Sequence, residues 1–416
     1  MTLPDSLAGA AWLTGGPVAR LFGVLDSDGE EARVVGGAVR DALIDRPVGE
    51  IDIATTASPE EIVRRAARAK IRSIPTGIDH GTVTLMVEGK PFEVTTLRED
   101  VETFGRKAKV AFGRSWEHDA QRRDFTINAL SVSREGRVHD YVGGLADLSA
   151  RRVRFIGDAS TRIAEDYLRI LRFFRFHASF GEGAPDAEAL AACIDAREGL
   201  DTLSRERVRM ELLKLLVARR APEAAAVMAE IGLLTRILGG VALVPQLTRM
   251  AQIERGLAWE PDAVRRLGAL AVLVTEDAER LFQRLRLSNA EFQRLSSMAD
   301  GWWRIAKEMP ARGARALLYR LGAEAYLDRT LIAFSRAQEP ADNASWRALA
   351  DFPQRWNLPK FPVAAADFVA LGVARGPGLG AALRKAEEAW IGADFPSSPS
   401  EIAEIVQSAA SAAEQK

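Results

Sequence analysis

The stretch Val34–Thr56, reading VVGGAVRDALIDRPVGEIDIATT, constrains the fold of this chain more than any other. Val34 and Val35 predict the end of a buried strand. Gly36 and Gly37 follow, where the backbone has to turn and where a side chain would hold a phosphate away from the main-chain N–H groups. Ala38–Ile44 then reads as a short helix, whose N-terminus attracts anions, and Arg40 can fork two N–H donors onto phosphate oxygens. After a Pro47–Gly49 turn comes Glu50-Ile51-Asp52. Residues two apart on a strand share a face, so Glu50 and Asp52 can together bind a pair of Mg²⁺ ions about 3.5–4 Å apart. A lone glycine pair is usually a turn, and a lone acid-x-acid triplet a solvated strand edge. Their order here (strand, GG, helix, Arg, turn, acidic strand) points to nucleotidyl transfer. No GxxxxGK[ST] occurs, so this is not P-loop chemistry.

A chain of 416 residues is long enough for two or more domains. Its 47% apolar and 27% charged residues are ordinary for a soluble globular protein. No apolar run reaches the roughly 18 residues of a membrane span, and the first residues lack the basic start of a secretory signal. The one cysteine, Cys193, excludes an internal disulfide framework, fits a reducing cytoplasm and reads as a buried apolar filler. A net charge of −1 argues against a uniformly basic nucleic-acid binder. Arginine pairs at Arg64-Arg65, Arg122-Arg123, Arg151-Arg152 and Arg219-Arg220, and the run Arg205–Arg209, still allow a local RNA-facing surface.

The first 150 residues mix strand and helix signals. A helix is predicted over Pro59–Ala69, with Ser58 as N-cap and Pro59 at the first helical position. A hairpin is predicted from Gly81–Val87 and Pro91–Leu97 around Glu88-Gly89-Lys90. Arg98–Gly113, charged and poor in apolar anchors, reads as a mobile loop. Phe125–Val132 and Val138–Tyr141 read as short elements. From about Asp158 the spacing is helical: Ala164–Ala178, Arg205–Val217, Pro222–Ile231, Asp262–Val274, Asn289–Glu308, Ala311–Gly322, Glu324–Ala337 and Val363–Leu371. An α+β head with a mixed sheet followed by an all-α remainder fits this order.

Two further constellations carry chemistry. In Arg122–Ala129, Arg123 is a candidate for the triphosphate and Asn128 for the ribose or backbone; Asp124 reads equally as a turn cap. In Glu165–Arg175, residues three apart are neighbours on a helix, so Asp166, Arg169, Arg172 and Arg175 are expected to form one ridge. Taken alone, that ridge is an amphipathic surface of weak ion pairs. Beside a nucleotide site it is a base reader. An ionised Asp accepts and an Arg donates, which matches the amino group and ring nitrogen of cytosine or adenine and rejects guanine and uracil. Such a two-point contact discriminates by about 1–3 kcal/mol.

Together these residues resemble the class II tRNA nucleotidyltransferase and bacterial poly(A) polymerase family. The resemblance runs through GGAVRD with EID (Gly36–Asp52), EVTTLRED (Glu93–Asp100), RRDFTINAL (Arg122–Leu130), DYVGGLADL (Asp140–Leu148) and EDYLRILRFFRF (Glu165–Phe176). A looser match is LSRERVRMELLKLL (Leu203–Leu216). It covers roughly residues 30–240. It implies a catalytic nucleotidyltransferase head (1–150), a base-recognising helical neck (151–220), a helical body (221–335) and a tRNA-binding helical tail (336–416). By resemblance Glu50 and Asp52 are the metal ligands, and Glu93 is a third carboxylate of the site. Gly36, Gly37, Arg40, Arg123, Asn128, Arg172 and Arg175 are nucleotide contacts, and Asp166 and Arg169 are the amino-acid template. Arg98–Gly113 matches a flexible loop that helps switch from C to A addition. One departure is Glu50, where the family commonly has Asp. His118-Asp119 and His139-Asp140 lack the helical setting of a phosphohydrolase domain.

The implied reaction is attack by the 3′-OH of tRNA on the α-phosphate of CTP or ATP, adding C and A without a nucleic-acid template and releasing pyrophosphate. The implied cofactor is Mg²⁺; the implied partners are the tRNA 3′ end, CTP and ATP, with no DNA and no membrane. A poly(A) polymerase, or an A-adding or CC-adding enzyme, is the nearest alternative. Such polymerases tend to carry a basic-aromatic block after the metal strand, where this chain has Ala69–Ile74, and a basic C-terminal extension. An RNA-binding protein with a decayed site is the alternative of another class, for which Glu50 is the one hint.

Overall fold

The computed structural model describes the backbone of residues 3–78, 81–104 and 107–414. The chain forms two compact units, Met1–Ile237 and Leu238–Lys416. None of the described helices is long and apolar enough to cross a membrane.

The first unit is built on β1 (Ala32–Val35), β2 (Asp52–Thr55), β3 (Arg72–Gly77), β4 (Thr82–Val87), β5 (Lys90–Thr96), β6 (Arg98–Phe104), β7 (Lys107–Phe112), β8 (Ser131–Val132) and β9 (Val138–His139). Seven of these form one sheet in the order β3-β4-β5-β2-β1-β8-β9. The pair β2–β5 is parallel and its other pairs are antiparallel, so the sheet is mixed. The parallel pair needs a crossover. It contains the helix Pro59–Arg68, which starts where Ser58 accepts from the Glu61 N–H at 3.3 Å. Burial alternates along β4, and the inward Val83, Leu85 and Val94 join Val34 and Ile53 in the core. Glu88 and Gly89 have positive φ (52° and 77°) and close the β4–β5 hairpin as the primed turn its twist favours.

Two expectations are corrected here. Arg98–Gly113 is not an irregular loop: β6 and β7 pair with each other as a separate antiparallel hairpin, residues 105–106 lying outside the described part. A ladder that satisfies its own backbone groups needs few apolar anchors, and hydrophobic spacing alone does not reveal it. Ala164–Ala178 is not one helix. It breaks between Ala159–Glu165 and Leu168–Phe180, with Asp166 extended at φ −157°, ψ 106°. Asp166 Oδ1 accepts from the Leu168 N–H at 3.2 Å, offering the backbone a cap in place of a continuing helical bond. The second helix then buries Ile170, Leu171, Phe173 and Phe174, and Phe173 stacks on Phe155 with ring centroids 5.7 Å apart.

The second unit is helical. The long segment Ala311–Arg336 is two helices joined at Gly322, whose φ of 76° an L-residue resists. The helix predicted to run to Glu308 stops at Ala299, before Gly301 turns left-handed. Inside this unit Arg265 donates to Asp328 at 2.9 Å and Arg266 to Glu254 at 2.7 Å, all four nearly fully buried. Arg294 reaches Asp328 and Asp262.

Candidate active site

Asp52 opens β2, and the parallel register sets it opposite Glu93 of β5. Across the antiparallel pair it stands opposite Val35, the last residue before Gly36. Strand pairing therefore brings a carboxylate from residue 93 to one from residue 52. Glu50 lies exposed in the segment before β2, outside the strand, so the shared-face argument does not describe it. Burial pushes the Asp52 carboxyl above its ordinary value. The charges of Glu93 and Glu50 push the same way, and Arg123 opposes them. Asp52 and Glu93 form two sides of a cavity of about 270 Å³ that Arg98, Asp119, Arg122 and Arg123 also line.

Two crowded carboxylates without an ion-pair partner among the described residues suit a hard cation. Among those residues no set of three or more His, Cys, Asp or Glu side chains forms a ready cage. Mg²⁺ is usually held by one or two carboxylates together with substrate phosphates and water, so the residues present fit it.

Gly36 has φ 74°, which favours glycine, and a Cβ there would stand 3.4 Å from Arg123 Nη1. Its N–H donates to Leu130 O at 2.9 Å. Gly37 begins the helix Gly37–Leu43. Arg123 donates to Asp119 Oδ2 at 3.1 and 3.3 Å and to Asn128 O at 3.4 Å. Arg122 takes the other oxygen of Asp119. Burial pushes the Asp119 carboxyl up, but Arg123 and Arg122 outweigh it and hold the group below its ordinary value.

Arg40 is nearly fully buried rather than open to solvent. It donates to Asn128 Oδ1 at 2.6 Å and to both oxygens of Asp41, and lies 3.9 Å over the Phe180 ring. Burial lowers its pKa. Asn128 passes the connection on, its Nδ2 donating to Asp124 Oδ1 at 3.1 Å. Asp124 Oδ2 accepts from Arg172, and Arg175 donates to Glu211 at 2.6 Å. Glu211, almost wholly buried, also lies 3.8 Å from Arg172. A hydrogen-bonded line thus runs from the GG helix through Asn128 and Asp124 to Arg172, and the Glu211 charge joins it to Arg175.

The side chains of Asp166 and Arg169 each have other partners. Asp166 accepts from Arg207 at 2.6 Å, while Arg169 donates to Glu165 and to Arg162 O. The helix break removes Asp166 from the ridge, leaving Arg169, Arg172 and Arg175 on Leu168–Phe180.

Sequence reasoning passed over Asp119, Glu165, Arg207 and Glu211, and left Asp124 as a turn cap. Asp119 and Glu165 stand four residues before Arg123 and Arg169, a spacing that marks helical ion pairs. No local pattern joins Arg207 or Glu211 to partners 36–41 residues away. The DYVGGLADL block is scaffold: Asp140 accepts from the N–H groups of Val142, Gly144 and Leu145, and a Cβ on Gly144 would stand 2.3 Å from Thr126 O.

Residues 32–154 match the family model described as the poly A polymerase head domain, and residues 184–248 match one described as a probable RNA and SrmB-binding site of polymerase A. The chain is 34% identical over 377 residues to CCA tRNA nucleotidyltransferase 1, mitochondrial, of Danio rerio, covering 89% of this chain and 86% of that protein. It is 32% identical to a CCA-adding enzyme of Lactobacillus delbrueckii subsp. bulgaricus over 92% of this chain and 95% of that one. Its fold matches the Bacillus stearothermophilus CCA-adding enzyme in complex with CTP, with a TM-score of 0.75, 26% identity, and coverage of 95% of this chain and 98% of that one. A Thermotoga maritima CCA-adding enzyme complexed with tRNA shares the fold at a TM-score of 0.64 and 18% identity, over 98% of this chain and 99% of that one.

Proposed function

The chain belongs to the CCA-adding tRNA nucleotidyltransferase family, and from that premise we propose that it adds C and A to the 3′ end of tRNA, consuming CTP and ATP and releasing pyrophosphate. The observation that carries this reading at the site is the side-by-side placement of Asp52 and Glu93 in a cavity that also contains Arg123.

Enzymes of the nucleotidyltransferase fold generally use divalent metals; in this reading the metal is Mg²⁺, held by Asp52 and Glu50 with Glu93 beside them. When bound, it supplies Lewis-acid activation of the attacking oxygen and neutralises the departing pyrophosphate. The chain's own residues position and stabilise. Backbone N–H groups after Gly36 and the guanidinium of Arg123 meet the triphosphate, with Asp119 fixing the aim of Arg123. Arg172 and Arg175 add further nucleotide contacts. Arg40 and Asn128, tied to each other, position the GG helix against Asp124, so their part in nucleotide binding is as supports of that surface.

Asp166 and Arg169 read the base: Asp166 accepts from the amino group of C or A while Arg207 holds its carboxylate in place, and Arg169 leaves Glu165 to donate to the ring nitrogen. Glu165 keeps Arg162 when Arg169 leaves it, and the pairs are partly exposed, so the exchange costs little. Head, neck, body and tail at 1–150, 151–220, 221–335 and 336–416 are the working division of labour in this reading, with tRNA along the helices. Cytoplasmic placement belongs to the same reading, which a chain with the single cysteine Cys193 fits.

The test is incorporation of each nucleoside triphosphate alone into tRNA transcripts ending before the first C, after CC, or after CCA. The reading requires C on the first, A on the second and nothing on the third. It also requires loss of all incorporation in Asp52→Ala. Repeated A addition onto the completed end would assign a poly(A) polymerase instead. Undiminished activity in the variant would remove Asp52 from the mechanism.

A further inference from the structure

Within the second unit a cavity of about 350 Å³ is lined by Trp302, Trp303, Lys307, Glu339, Arg336 and Trp346, among others. Two of its lining residues carry donors that lack acceptors. Arg336 Nε and Nη1 and Trp346 Nε1 are sealed from solvent without a hydrogen-bond partner, while Arg336 Nη2 alone donates, to Val272 O. Trp346 itself is only 3% exposed. Buried polar groups are nearly always paired, and an orphan calls for an explanation such as a bound water or ion.

The cation beside them is also unmatched. Burial pulls the Arg336 pKa down to about 10, and the one acid that raises it, Asp277, already accepts from Arg280 at 2.5 Å and from the Leu273 and Val274 N–H groups. Glu339 is held by Lys307 and by Asn343 Nδ2 at 3.2 Å. Arg336 lies over the Trp302 ring at 4.1 Å, a contact that steadies its position without supplying an anion. A second guanidinium, Arg249, has its Nη2 buried and unpartnered and lies 5.5 Å over Phe334, whose ring stacks on Trp346. The orphaned atoms are all donors attached to guanidinium or indole, which selects for a ligand made of acceptors.

We propose that this cavity is an oxyanion site, in which Arg336 and Trp346 hold a phosphate group, free or esterified, with the exposed Trp303 as a flat wall for whatever the phosphate carries. Arginine is suited to phosphate because its planar fork matches two oxygens. In this proposal binding draws Arg336 away from Val272 O and opens its Nε and Nη1 and the Trp346 N–H, otherwise sealed from solvent, to the cavity, whose volume exceeds what a lone phosphate fills.

The test is backbone hydrogen exchange of the full chain with inorganic phosphate, and separately with a short oligoribonucleotide, against chloride at equal ionic strength. Exchange is expected to slow across residues 302–308 and 336–346. Slowing by inorganic phosphate assigns a free anion; slowing by the oligoribonucleotide alone assigns an RNA phosphodiester. In Arg336→Met the concentration needed should rise at least about tenfold. Trp346→Phe keeps the ring stacked on Phe334 and removes one donor, and should give a smaller rise. Equal slowing in the wild type and in Arg336→Met, or no slowing by either probe, overturns the proposal; both outcomes leave nucleotide addition at the first unit untouched.

Discussion

Arg172 closes onto a single oxygen of Asp124 through two of its nitrogens, Nε at 2.8 Å and Nη2 at 2.5 Å. The other oxygen of Asp124 takes the Phe125 N–H and Asn128 Nδ2. One carboxylate therefore joins the helix Leu168–Phe180 to the segment that presents Arg123, beside the packing of Phe125 on Phe173 and Phe176.

Replacing Asp124 with Ala should leave Arg172 with only the more distant Glu211 and free the Asn128 amide. Loss of charge-assisted bonds at a half-buried site costs about 2 kcal/mol of stability. KM for CTP and ATP should rise together, by about tenfold, while the incoming base is still selected. Steady-state kinetics with each triphosphate checks this; an unchanged KM would show that the tie is structural alone.

Asp52→Asn separates charge from shape. Incorporation should fall by about 10²–10³-fold or more, the scale of losing one preorganised electrostatic group. Thermal stability should not fall, because burial and the Glu93 charge both disfavour the ionised Asp52. A lower Tm would contradict the strained-carboxylate picture.

Asp119 gives the pH dependence. Its folded pKa is depressed by Arg123 and Arg122 against the opposing effect of burial. A depressed carboxylate contributes stability that is complete above its unfolded pKa of about 3.9 and disappears as pH falls through the lower folded value. Asp119→Asn should therefore cost about 2 kcal/mol at pH 7, and the gap from wild type should close below pH 4. Denaturant unfolding at several pH values measures it; a gap that stays constant with pH would rule out the ion pair as its source.

Arg207→Met frees Asp166 from its 2.6 Å partner. Both side chains are about one-third exposed, so stability should change by less than about 1 kcal/mol. Fidelity should change more. With Asp166 unanchored, the preference for CTP and ATP over GTP and UTP should fall by about tenfold, which the four kcat/KM values report. Unaltered discrimination with altered Tm would reduce Arg207 to a surface tie.

The head was readable because its signals are local. Val34–Val35, the glycine pair, Ser58-Pro59 and the Glu88-Gly89 turn each act over a few residues, and each lies where the pattern places it. The β6–β7 hairpin escaped because its strands bind each other through backbone groups, with few apolar side chains to mark them. Asp166 was misplaced on a continuous helix because periodicity cannot register a side chain that caps the next backbone turn.

Glu93 joins Asp52 through strand pairing across 41 residues, and Glu211 reaches Arg175 across 36. The sequence by itself determined which chemical groups exist and where the chain turns, since propensity and capping are written in neighbouring residues. Which carboxylate meets which arginine was decided by tertiary structure, because charges interact through space, and a parallel strand register or a helix packed on another sets that distance only after the chain has folded.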